Sequence, residues 1–316
     1  MERAAELGRA VRRAASPNPG VGCVIETADG RVFEGATEPP GKRHAEIVAL
    51  DNARAVGARL QDATVWVTLE PCAHHGRTGP CATALVKARV GRVVIAVEDP
   101  DPNVAGEGIA ELHAAGIEVD LGPCADAVTD DLVFYLTHRR LGRPYITLKL
   151  AMTADGHTTT DDPANRWITG PAARADGHRL RAQHDAILVG AATVRADNPR
   201  LTTRDAEGPD PVRVVLGHAP PGAAVHPCVE RSGDVLLVLR GLAADGITSV
   251  LVEGGKRVAQ VFHFGGLVDR YVMYVAGADS PGAAADAAAG MWNAQVIDVA
   301  RIGDDVRVTL VPKPVA

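Results

Sequence analysis

Short apolar runs alternate with helix-like segments along the first half of the chain. The runs VGCVIET, residues 21–27, and RVFEGA, residues 31–36, flank an Asp-Gly pair and predict a β-hairpin. HAEIVALDNARAVG then carries apolar residues at helical spacing and ends in glycine, which predicts a helix. The following segments predict, in chain order, the strand TVWVTL, the helix CATALVKARV, the strand RVVIAV, a helix around GIAELHAAG, the strand IEVD and a helix over residues 125–140. This alternation predicts a three-layer α/β domain.

A second alternating region begins at LGRPYITLKLAMTADG, residues 141–156, where a glycine and a proline precede a strongly β-prone run. We place a domain boundary near Arg143, so that the two predicted domains span residues 1–142 and 143–316. The remaining segments predict, in chain order, a helix over 171–182, the strands DAILVG, PVRVVLG and DVLLVLR, the strand SVLVEGG followed by a helix, and strands in VDRYVMYVAG and DVRVTLVP. The Ala- and Gly-rich stretch GADSPGAAADAAAG, residues 277–290, is expected to be a mobile loop or a low-specificity insert.

Length and charge narrow the class of protein. The 316 residues favour two domains at roughly 100 to 200 residues per domain, each with its own core. A formal net charge of −6 argues against a nucleic-acid partner or an anionic membrane surface, because such surfaces need clustered Lys and Arg. The chain has no run of about 18 apolar residues, and its first 16 residues carry charges throughout. These features predict a soluble, cytoplasmic enzyme that acts on a small molecule.

The five cysteines favour reduced thiols over a disulfide framework. They are Cys23, Cys72, Cys81, Cys124 and Cys228, an odd and sparse set for a chain of this length. In a reducing compartment, two closely spaced cysteines near a histidine are more typical of a metal site.

The segments HAE and EPCAHHGRTGPC contain the residue types of a catalytic zinc site. Such a site uses three nitrogen or sulfur ligands and keeps a fourth position for water, and His44, Cys72 and Cys81 supply this set. Glu46, two residues after the histidine, can carry protons without binding the metal. Zinc deaminases combine an H-x-E with a later P-C-x-x-C, although here eight residues separate the cysteines.

The eight residues AHHGRTGP form a loop whose ends are both predicted to bind the metal. This predicts that His74, His75 and Arg77 project into the pocket, where Arg77 suits a phosphate group. Two alternatives remain open at this point. The cysteines could be small buried core residues, or His74 or His75 could complete a purely structural four-ligand zinc site.

Longer segments from Asn18 onward resemble one known family. The first half contains NPGVGCVI, HAE, TLEPCAHHGRTGPC and EDPDPNVAGEGI, and the second contains PYITLKLAMTADG, RWITG, LRAQHDAILVGAATVRADNPRLTTR and LVEGG. In this order they are similar to the bifunctional deaminase/reductases of riboflavin biosynthesis, over nearly the whole chain. The resemblance implies an α/β fold with an N-terminal three-layer cytidine-deaminase-like domain and a C-terminal dihydrofolate-reductase-like domain.

For the first domain, the resemblance implies hydrolysis of the C2 amino group of 2,5-diamino-6-ribosylamino-4(3H)-pyrimidinone 5′-phosphate. His44, Cys72 and Cys81 would bind Zn²⁺ and Glu46 would transfer the protons. The implied substrate-binding residues are Asn18, His74 and Arg77. One position departs from the family's usual pattern: Thr37 stands where relatives carry a histidine ahead of HAE.

For the second domain, the resemblance implies NADPH-dependent reduction of the ribosyl chain to give 5-amino-6-ribitylaminouracil 5′-phosphate. The implied substrate residues are Lys149, Arg181, Asp197, Leu201, Arg204 and Glu253, with Arg181 and Arg204 as phosphate clamps. The implied cofactor residues are Trp167, Thr169, Gly190, Thr193, Gly254 and Gly255. The chain has no GxGxxG after a strand, so the Gly-Gly turn after SVLVE is the expected pyrophosphate site. The family also implies a homo-oligomer.

Ordinary structural interpretations of single residues stay open. The Gly-Gly pair could be an ordinary strand-to-helix turn, Lys149 could face solvent, and Trp167 could be a core residue. Three other functions are alternatives for the whole chain. One of the two domains could be inactive, because of Thr37 or the stretch 277–290. The chain could instead be a zinc-stabilised module for single-stranded nucleic acid, although 3% aromatic content argues against this, or a deaminase of free bases.

Overall fold

The chain folds as two units, each built on its own sheet. The computed structural model describes residues 1–73, 79–101, 104–158, 167–204 and 206–313. The first unit spans Met1–Arg143 and the second spans Pro144–Ala316. Among the described residues, no helix combines the length and the apolar character that a membrane span requires.

The first unit is a five-stranded sheet with helices on both faces. Its elements are α1 (Glu2–Ala15), β1 (Gly22–Glu26), β2 (Val32–Ala36), α2 (Ala45–Ala55), β3 (Thr64–Leu69), α3 (Cys81–Ala88), β4 (Arg92–Val97), α4 (Glu107–Ala114), β5 (Glu118–Leu121) and α5 (Ala125–Leu141). The strand order is β2-β1-β3-β4-β5, with β3, β4 and β5 parallel and β1 antiparallel to both of its neighbours. Helix α1 packs against α5, whereas α2 packs against α3 and α3 against α4, so the helices form one layer on each face.

The predicted hairpin is confirmed as β1 and β2. Glu26 lies opposite Val32, and Gly30 of the connecting turn has a φ of +82°. This is the left-handed backbone region that glycine adopts without steric cost. The hairpin therefore follows from the turn chemistry that its sequence carries.

The second unit is an eight-stranded sheet. Its elements are β6 (Tyr145–Thr153), α6 (Pro171–Gln183), β7 (Ala186–Gly190), α7 (Ala191–Asp197), β8 (Val212–Leu216), β9 (Val229–Arg231), α8 (Val235–Ala244), β10 (Ser249–Val252), α9 (Lys256–Phe264), β11 (Arg270–Ala276), α10 (Pro281–Trp292), β12 (Ala294–Ile302) and β13 (Asp305–Pro312). The strand order is β12-β13-β11-β6-β10-β7-β8-β9. All neighbours from β11 to β9 are parallel, whereas β12 and β13 form an antiparallel edge.

Alternate residues of β11 are buried against different layers. Met273 and Val275 join the core that includes Phe262 of α9, whereas Val272 and Tyr274 pack with Ala173 of α6. Successive side chains of a strand point to opposite faces, so this sheet is covered on both sides. The near-continuous apolar run RYVMYVA is the sequence signature of such a doubly covered strand.

The segment DVLLVLR was predicted as a strand, and this prediction is wrong. It forms the start of α8, where the Asp234 side chain accepts a hydrogen bond from the backbone nitrogen of Leu237 at 3.0 Å. Val238, Leu239 and Leu242 face the core at helical spacing. A short, continuous apolar run does not by itself distinguish a strand from a buried helix, and here the N-cap and the packing select the helix.

The stretch 277–290 was expected to be a mobile loop, and this expectation is also wrong. Most of it belongs to α10, which begins with a Ser280 side chain that accepts from the backbone nitrogen of Ala283 at 3.1 Å. Ala284, Ala288 and Trp292 are buried at intervals of four residues. Alanine has the highest helix propensity, so an Ala-rich segment that begins with a capping serine forms a helix. Its small side chains allow this helix to pack closely against the sheet.

Besides α10, four described elements had no counterpart in the sequence-based prediction: α1, α7, β9 and β12. The buried face of α1 consists of Ala4, Ala5, Gly8 and Ala15. The charged residues of α1 lie on the opposite face, so this helix is amphipathic and its pattern was an available signal that the sequence-based prediction missed.

Candidate active sites

Three side chains from separate elements of the first unit converge on one point. His44 precedes the first turn of α2, Cys72 follows β3, and Cys81 begins α3. The Nδ1 atom of His44 lies 3.7 Å from Sγ of Cys72 and 3.4 Å from Sγ of Cys81. All three potential ligand atoms lie within 4.8 Å of one another. The described residues contain no other such group of three or more His, Cys, Asp or Glu side chains.

The donor set of this cluster fits zinc. One imidazole nitrogen and two sulfur atoms are preferred zinc ligands, and three protein ligands leave a fourth position for water or substrate. The cysteines are therefore not merely small buried core residues, since packing alone does not bring a histidine nitrogen to both sulfurs. His74 and Arg77 lie outside the described residues, as does His75, the other proposed fourth ligand.

Glu46 lies beside this cluster, on the first turn of α2. Only 4% of its surface is exposed, and it lines a cavity of about 400 Å³. Burial raises the pKa of its carboxyl to about 7, and the negative charge of the Cys72 thiolate adds to the rise. A bound cation would counteract this rise, because it stabilises the carboxylate. A buried carboxyl of this kind can accept and return a proton near neutral pH.

The cavity also contains the other described residues that the sequence singled out in this unit. Asn18 and Thr37 line it together with His44 and Cys72. The Thr37 hydroxyl accepts from the backbone nitrogen of Val21 at 3.1 Å and donates to the Val21 carbonyl oxygen at 3.4 Å. Thr37 is therefore tied to the neighbouring backbone and forms part of the cavity wall.

Several lining residues of this cavity were missed from the sequence. Lys42, Asp101, Tyr135 and Arg139 face it. Lys42 lies just ahead of HAE and Asp101 lies in EDPDPNVAGEGI, so proximity to a recognised motif was an available signal. For Tyr135 and Arg139 there was none, because α5 reaches the cavity only through the fold.

In the second unit, the predicted residues gather at the carboxyl ends of parallel strands. Gly190 ends β7 and Glu253 directly follows β10, its neighbour in the sheet. Two cavities of about 460 Å³ each lie here, and both are lined by Thr193, Asp197 and Glu253. Open α/β sheets bind ligands at this edge.

Arg181 and Glu253 form a buried ion pair between the two cavities. Nε and Nη2 of Arg181 each donate to one carboxylate oxygen of Glu253 at 2.8 Å, and Nη1 donates to the Thr202 carbonyl oxygen at 3.0 Å. Both side chains are about 10% exposed, at 11% and 10%. The guanidinium is therefore committed to protein acceptors, and this argues against the expected role of Arg181 as a phosphate clamp. Its partner Glu253 is the group that faces the cavities.

This pair has a consequence for stability in acid. Burial would raise the pKa of Glu253, but the charges of Lys149 and Arg181 outweigh burial and lower it from 4.5 to about 2. A carboxyl with a lowered pKa in the folded state stabilises the fold above its unfolded pKa, and this contribution is lost as the pH falls.

We therefore expect the free energy of unfolding of the second unit to fall as the pH decreases from about 4.5 towards 2. The Glu253→Gln variant should be less stable at neutral pH and should show a flatter dependence in this window. Urea denaturation at a series of pH values measures the free energy of unfolding of both proteins. The contributions of the other carboxyl groups cancel in the difference between wild type and variant. Parallel curves for the two proteins would contradict the assignment.

Lys149 projects from β6 into one of these cavities. Its Nζ atom lies 5.5 Å from the centroid of the Tyr274 ring, and a Cβ at Gly177 of α6 would lie 3.9 Å from the same atom. The Tyr274 hydroxyl donates to Oδ2 of the buried Asp176 at 2.7 Å. Lys149 is thus directed by a cation–π contact and the adjacent helix, and the solvent-facing interpretation is wrong.

The Gly-Gly turn after β10 lies against the side chain of Val258 in α9. A Cβ at Gly254 would lie 2.5 Å from Cβ of Val258, so a larger residue does not fit. Gly255 is the N-cap of the nine-residue helix α9, and its backbone nitrogen donates to Oγ1 of Thr193 at 3.4 Å. The turn and the helix N-terminus border the cavity that Lys149 enters, and this geometry fits a pyrophosphate group.

The remaining predicted residues of this unit divide into two groups. Trp167, Leu201 and Arg204 line the cavity that contains Arg181. Trp167 is 57% exposed with the Arg174 guanidinium over its ring, so it is not a core residue. Thr169 and Gly190 are not among the described lining residues of either cavity. Both are buried nearby, and the Thr169 carbonyl accepts from Arg174 at 2.7 Å.

The basic residues Lys256 and Arg200, and His157, also line these cavities and were missed from the sequence. Lys256 follows the Gly-Gly pair directly, so its position in the motif could have identified it. Arg200 lies inside the segment LRAQHDAILVGAATVRADNPRLTTR and His157 directly follows PYITLKLAMTADG, so proximity to a recognised motif was an available signal for both.

Two family models match the chain. The cytidine and deoxycytidylate deaminase zinc-binding region matches residues 1–97, and the RibD C-terminal domain matches residues 144–278. The first range contains His44, Cys72 and Cys81, and the second contains both glycines of the turn after β10. These matches confirm the predicted α/β fold class, with a cytidine-deaminase-like first domain and a reductase second domain.

Curated relatives are similar over most of their length. The riboflavin biosynthesis protein RibD of Mycobacterium tuberculosis is 43% identical over 289 residues, which cover 87% of this chain and 84% of that protein. The Escherichia coli protein of the same name is 36% identical over 319 residues, covering 87% of this chain and 86% of the relative.

Solved structures of proteins from the same family are similar to this chain over nearly its whole length. Acinetobacter baumannii RibD has a TM-score of 0.87 at 35% identity and covers 99% of this chain and 98% of its own. A diaminohydroxyphosphoribosylaminopyrimidine deaminase/5-amino-6-(5-phosphoribosylamino)uracil reductase from Thermotoga maritima has a TM-score of 0.84 at 30% identity, covering 99% and 97%. The predicted cofactors, zinc and NADPH, are confirmed by the two domain matches and by the His-Cys-Cys cluster. The chain belongs to the RibD family, whose members join a zinc-dependent deaminase to an NADPH-dependent reductase in riboflavin biosynthesis.

Proposed function

We propose that residues 1–142 deaminate 2,5-diamino-6-ribosylamino-4(3H)-pyrimidinone 5′-phosphate and that residues 143–316 reduce the product with NADPH to 5-amino-6-ribitylaminouracil 5′-phosphate. The observation that carries the proposal is the convergence of His44, Cys72 and Cys81 beside the buried Glu46, at a cavity large enough for a nucleotide-like base. The ion-paired Glu253 and the Gly-Gly turn supply a second site on the same chain.

In the deaminase site, His44, Cys72 and Cys81 would hold zinc. Zinc in such a site lowers the pKa of water to near neutrality and so supplies the nucleophile. Glu46 would take one proton from the attacking water and give it to the ring nitrogen, and would then take the second proton from the new hydroxyl on the ring carbon and give it to the leaving amine, which departs as ammonia. Asn18 orients the pyrimidine from the cavity wall. His74 and Arg77 remain proposed contacts to the substrate, with Arg77 directed to its phosphate.

In the reductase site, the cofactor side comprises Trp167, Thr169, Gly190, Thr193, Gly254 and Gly255. Backbone amides at the start of α9 face the pyrophosphate. On the substrate side, Lys149 and Asp197 hold the sugar hydroxyls, Arg204 binds the phosphate, and Leu201 forms an apolar wall. Arg181 contributes through Glu253, whose carboxylate it holds at the junction of the two cavities.

The proposal extends to the setting of the enzyme. We propose a cytoplasmic homo-oligomer that binds no nucleic acid. The net charge of −6 and the small aromatic content support the absence of a nucleic-acid partner. Sedimentation analysis of the zinc-loaded protein tests the oligomeric state, and a single species of about 33 kDa would refute it.

The decisive experiment supplies the proposed substrate and NADPH to the zinc-loaded protein and follows ammonia release and NADPH oxidation together. Ammonia release followed by NADPH oxidation is the expected result. Ammonia release alone would favour the alternative in which only the deaminase is active. NADPH oxidation that occurs only when the deaminated nucleotide is supplied would favour an active reductase alone. Faster ammonia release from free guanine than from the nucleotide would indicate a free-base deaminase.

Cys72→Ser tests the metal assignment. Loss of one thiolate from a three-ligand set should lower zinc occupancy by at least about tenfold and abolish ammonia release. NADPH-dependent reduction of the deaminated nucleotide should continue, because it belongs to the other unit. Zinc is measured with a chromogenic chelator after unfolding, and Cys124→Ser, an exposed cysteine of the same unit, is the control. Full zinc occupancy in Cys72→Ser would remove this residue from the ligand set.

A further inference from the structure

One buried carboxylate of the first unit binds four backbone amides. Oε2 of Glu70 accepts from the backbone nitrogens of Asp99 at 3.2 Å and Gly106 at 3.1 Å. Oε1 accepts from those of Gly108 at 3.0 Å and Ile109 at 3.2 Å. Glu70 is only 3% exposed. All four donors belong to the segment between β4 and the first turn of α4, here called the wall segment (residues 98–101 and 104–109).

Glycines bring the wall segment into contact with the loop that carries Cys72. A Cβ at Gly108 would lie 1.9 Å from the carbonyl oxygen of Pro71, so only glycine allows this approach. Gly106, the N-cap of α4, has a φ of +78°. The motif EDPDPNVAGEGI therefore has a physical purpose in this fold: its glycines let the backbone close around the Glu70 carboxylate.

The wall segment forms one side of the deaminase cavity. Asp99, Asp101 and Val104 line it. Asp99 in turn accepts from the backbone nitrogen of Asp101 at 2.9 Å and from the Tyr135 hydroxyl at 2.9 Å. Glu70 itself also borders the cavity, but both of its oxygens are occupied by the amides described above. The position of Asp101 thus depends on a chain of hydrogen bonds that begins at Glu70.

We propose that Glu70 is a positioning residue for deamination, which holds the wall segment at the distance from the zinc ligands that the substrate requires. The inference rests on the proposed deaminase function. A carboxylate suits this purpose because it accepts up to four hydrogen bonds and donates none. The role differs from support of the metal, although Glu70 lies only two residues before Cys72.

The test compares Glu70→Gln with the wild type in ammonia release, zinc content and NADPH-dependent reduction. The amide group of glutamine places an N–H₂ donor against two backbone N–H donors, so the wall segment should move away. We expect KM for deamination to rise by at least about tenfold while kcat changes by less than about threefold. Zinc should stay at one per chain, and reduction of the deaminated nucleotide should be unchanged.

Two further variants complete the test. Glu111→Gln on α4 is the matched control, because Glu111 accepts from Oγ1 of Thr83 at 2.6 Å and contacts none of the four amides. Its KM should equal that of the wild type. Glu70→Asp keeps the charge but is one methylene shorter, so it should give an intermediate KM and serves if the glutamine variant does not fold.

Each other outcome overturns the proposal. Loss of zinc from the Glu70 variants would mean that the residue supports the metal through Cys72. An unchanged KM in a folded, zinc-loaded variant would show that the wall segment needs no such contact. If the wild type releases no ammonia, the proposed function fails, and the positioning role fails with it. Failure of the proposed function is thus seen in the wild type, whereas failure of the positioning role alone is seen only in the variants.

Discussion

Glu46→Gln should lower the rate of ammonia release by about a hundredfold to ten-thousandfold, which is the usual contribution of a general acid–base group. Glutamine keeps the size of the side chain but cannot accept a proton from water or pass it to the pyrimidine. Glu46 is buried beside His44 and Cys72, where a group that transfers protons to the reacting atoms has to lie. Single-turnover ammonia release by the zinc-loaded variant measures the effect.

Three readouts keep this result specific. Zinc content should equal that of the wild type, since Glu46 is not one of the three clustered ligands. Reduction of the deaminated nucleotide should also be unchanged. Glu34→Gln is the control, because this surface carboxylate of the same unit contacts Arg3 and lies outside the cavity lining. Ammonia release within about threefold of wild type would remove Glu46 from the proton-transfer role.

Arg181→Met should destabilise the second unit by about 3 to 5 kcal/mol, the usual effect of removing one partner of a buried ion pair. Methionine fills much of the space of the arginine stem but leaves the Glu253 carboxylate buried without its two 2.8 Å donors. NADPH-dependent reduction should be lost as well, because Glu253 borders both cavities of this unit. Urea denaturation at neutral pH measures the stability.

A double variant separates stability from function. In Arg181→Met/Glu253→Gln both charges are absent, so much of the lost stability should return, whereas the reductase should stay inactive. Arg231→Met is the surface control, since the pair with Asp245 is 38% and 58% exposed and should contribute less than about 1 kcal/mol. If Arg181→Met destabilises no more than this control, water screens the buried pair and the argument for its positioning role fails.

The deaminase cluster could be predicted because its chemistry is visible in short motifs. A histidine, a glutamate two residues later and a proline-cysteine pair are residue types that few structural needs bring together. The structure places His44, Cys72 and Cys81 within ligand distance and Glu46 beside them. The turn glycines Gly30 and Gly254 were also predictable: Gly30 has a positive φ, and a Cβ at Gly254 would collide with the Val258 side chain.

The elements that were mispredicted share a different property. The runs DVLLVLR and GADSPGAAADAAAG are uniform in hydrophobicity or in side-chain size, so neither period 2 nor period 3.6 stands out. Their helices are selected by caps at Asp234 and Ser280 and by burial against the sheet. Packing of this kind depends on the partners that the fold supplies, and these lie far away in the chain.

Residue types at short spacing were thus enough to predict the α/β class and the cluster of His44, Cys72 and Cys81, and to propose a proton carrier and a cofactor turn, because each is a local requirement on a few neighbouring residues. Only the tertiary structure revealed that Glu253 pairs with Arg181, 72 residues away, and that Glu70 gathers amides from 29 to 39 residues away. In both cases, the packing of strands and helices brings together charged and polar groups that are distant in the sequence. A buried charge then has to find partners wherever the fold provides them, and one sequence carries no local pattern for that pairing.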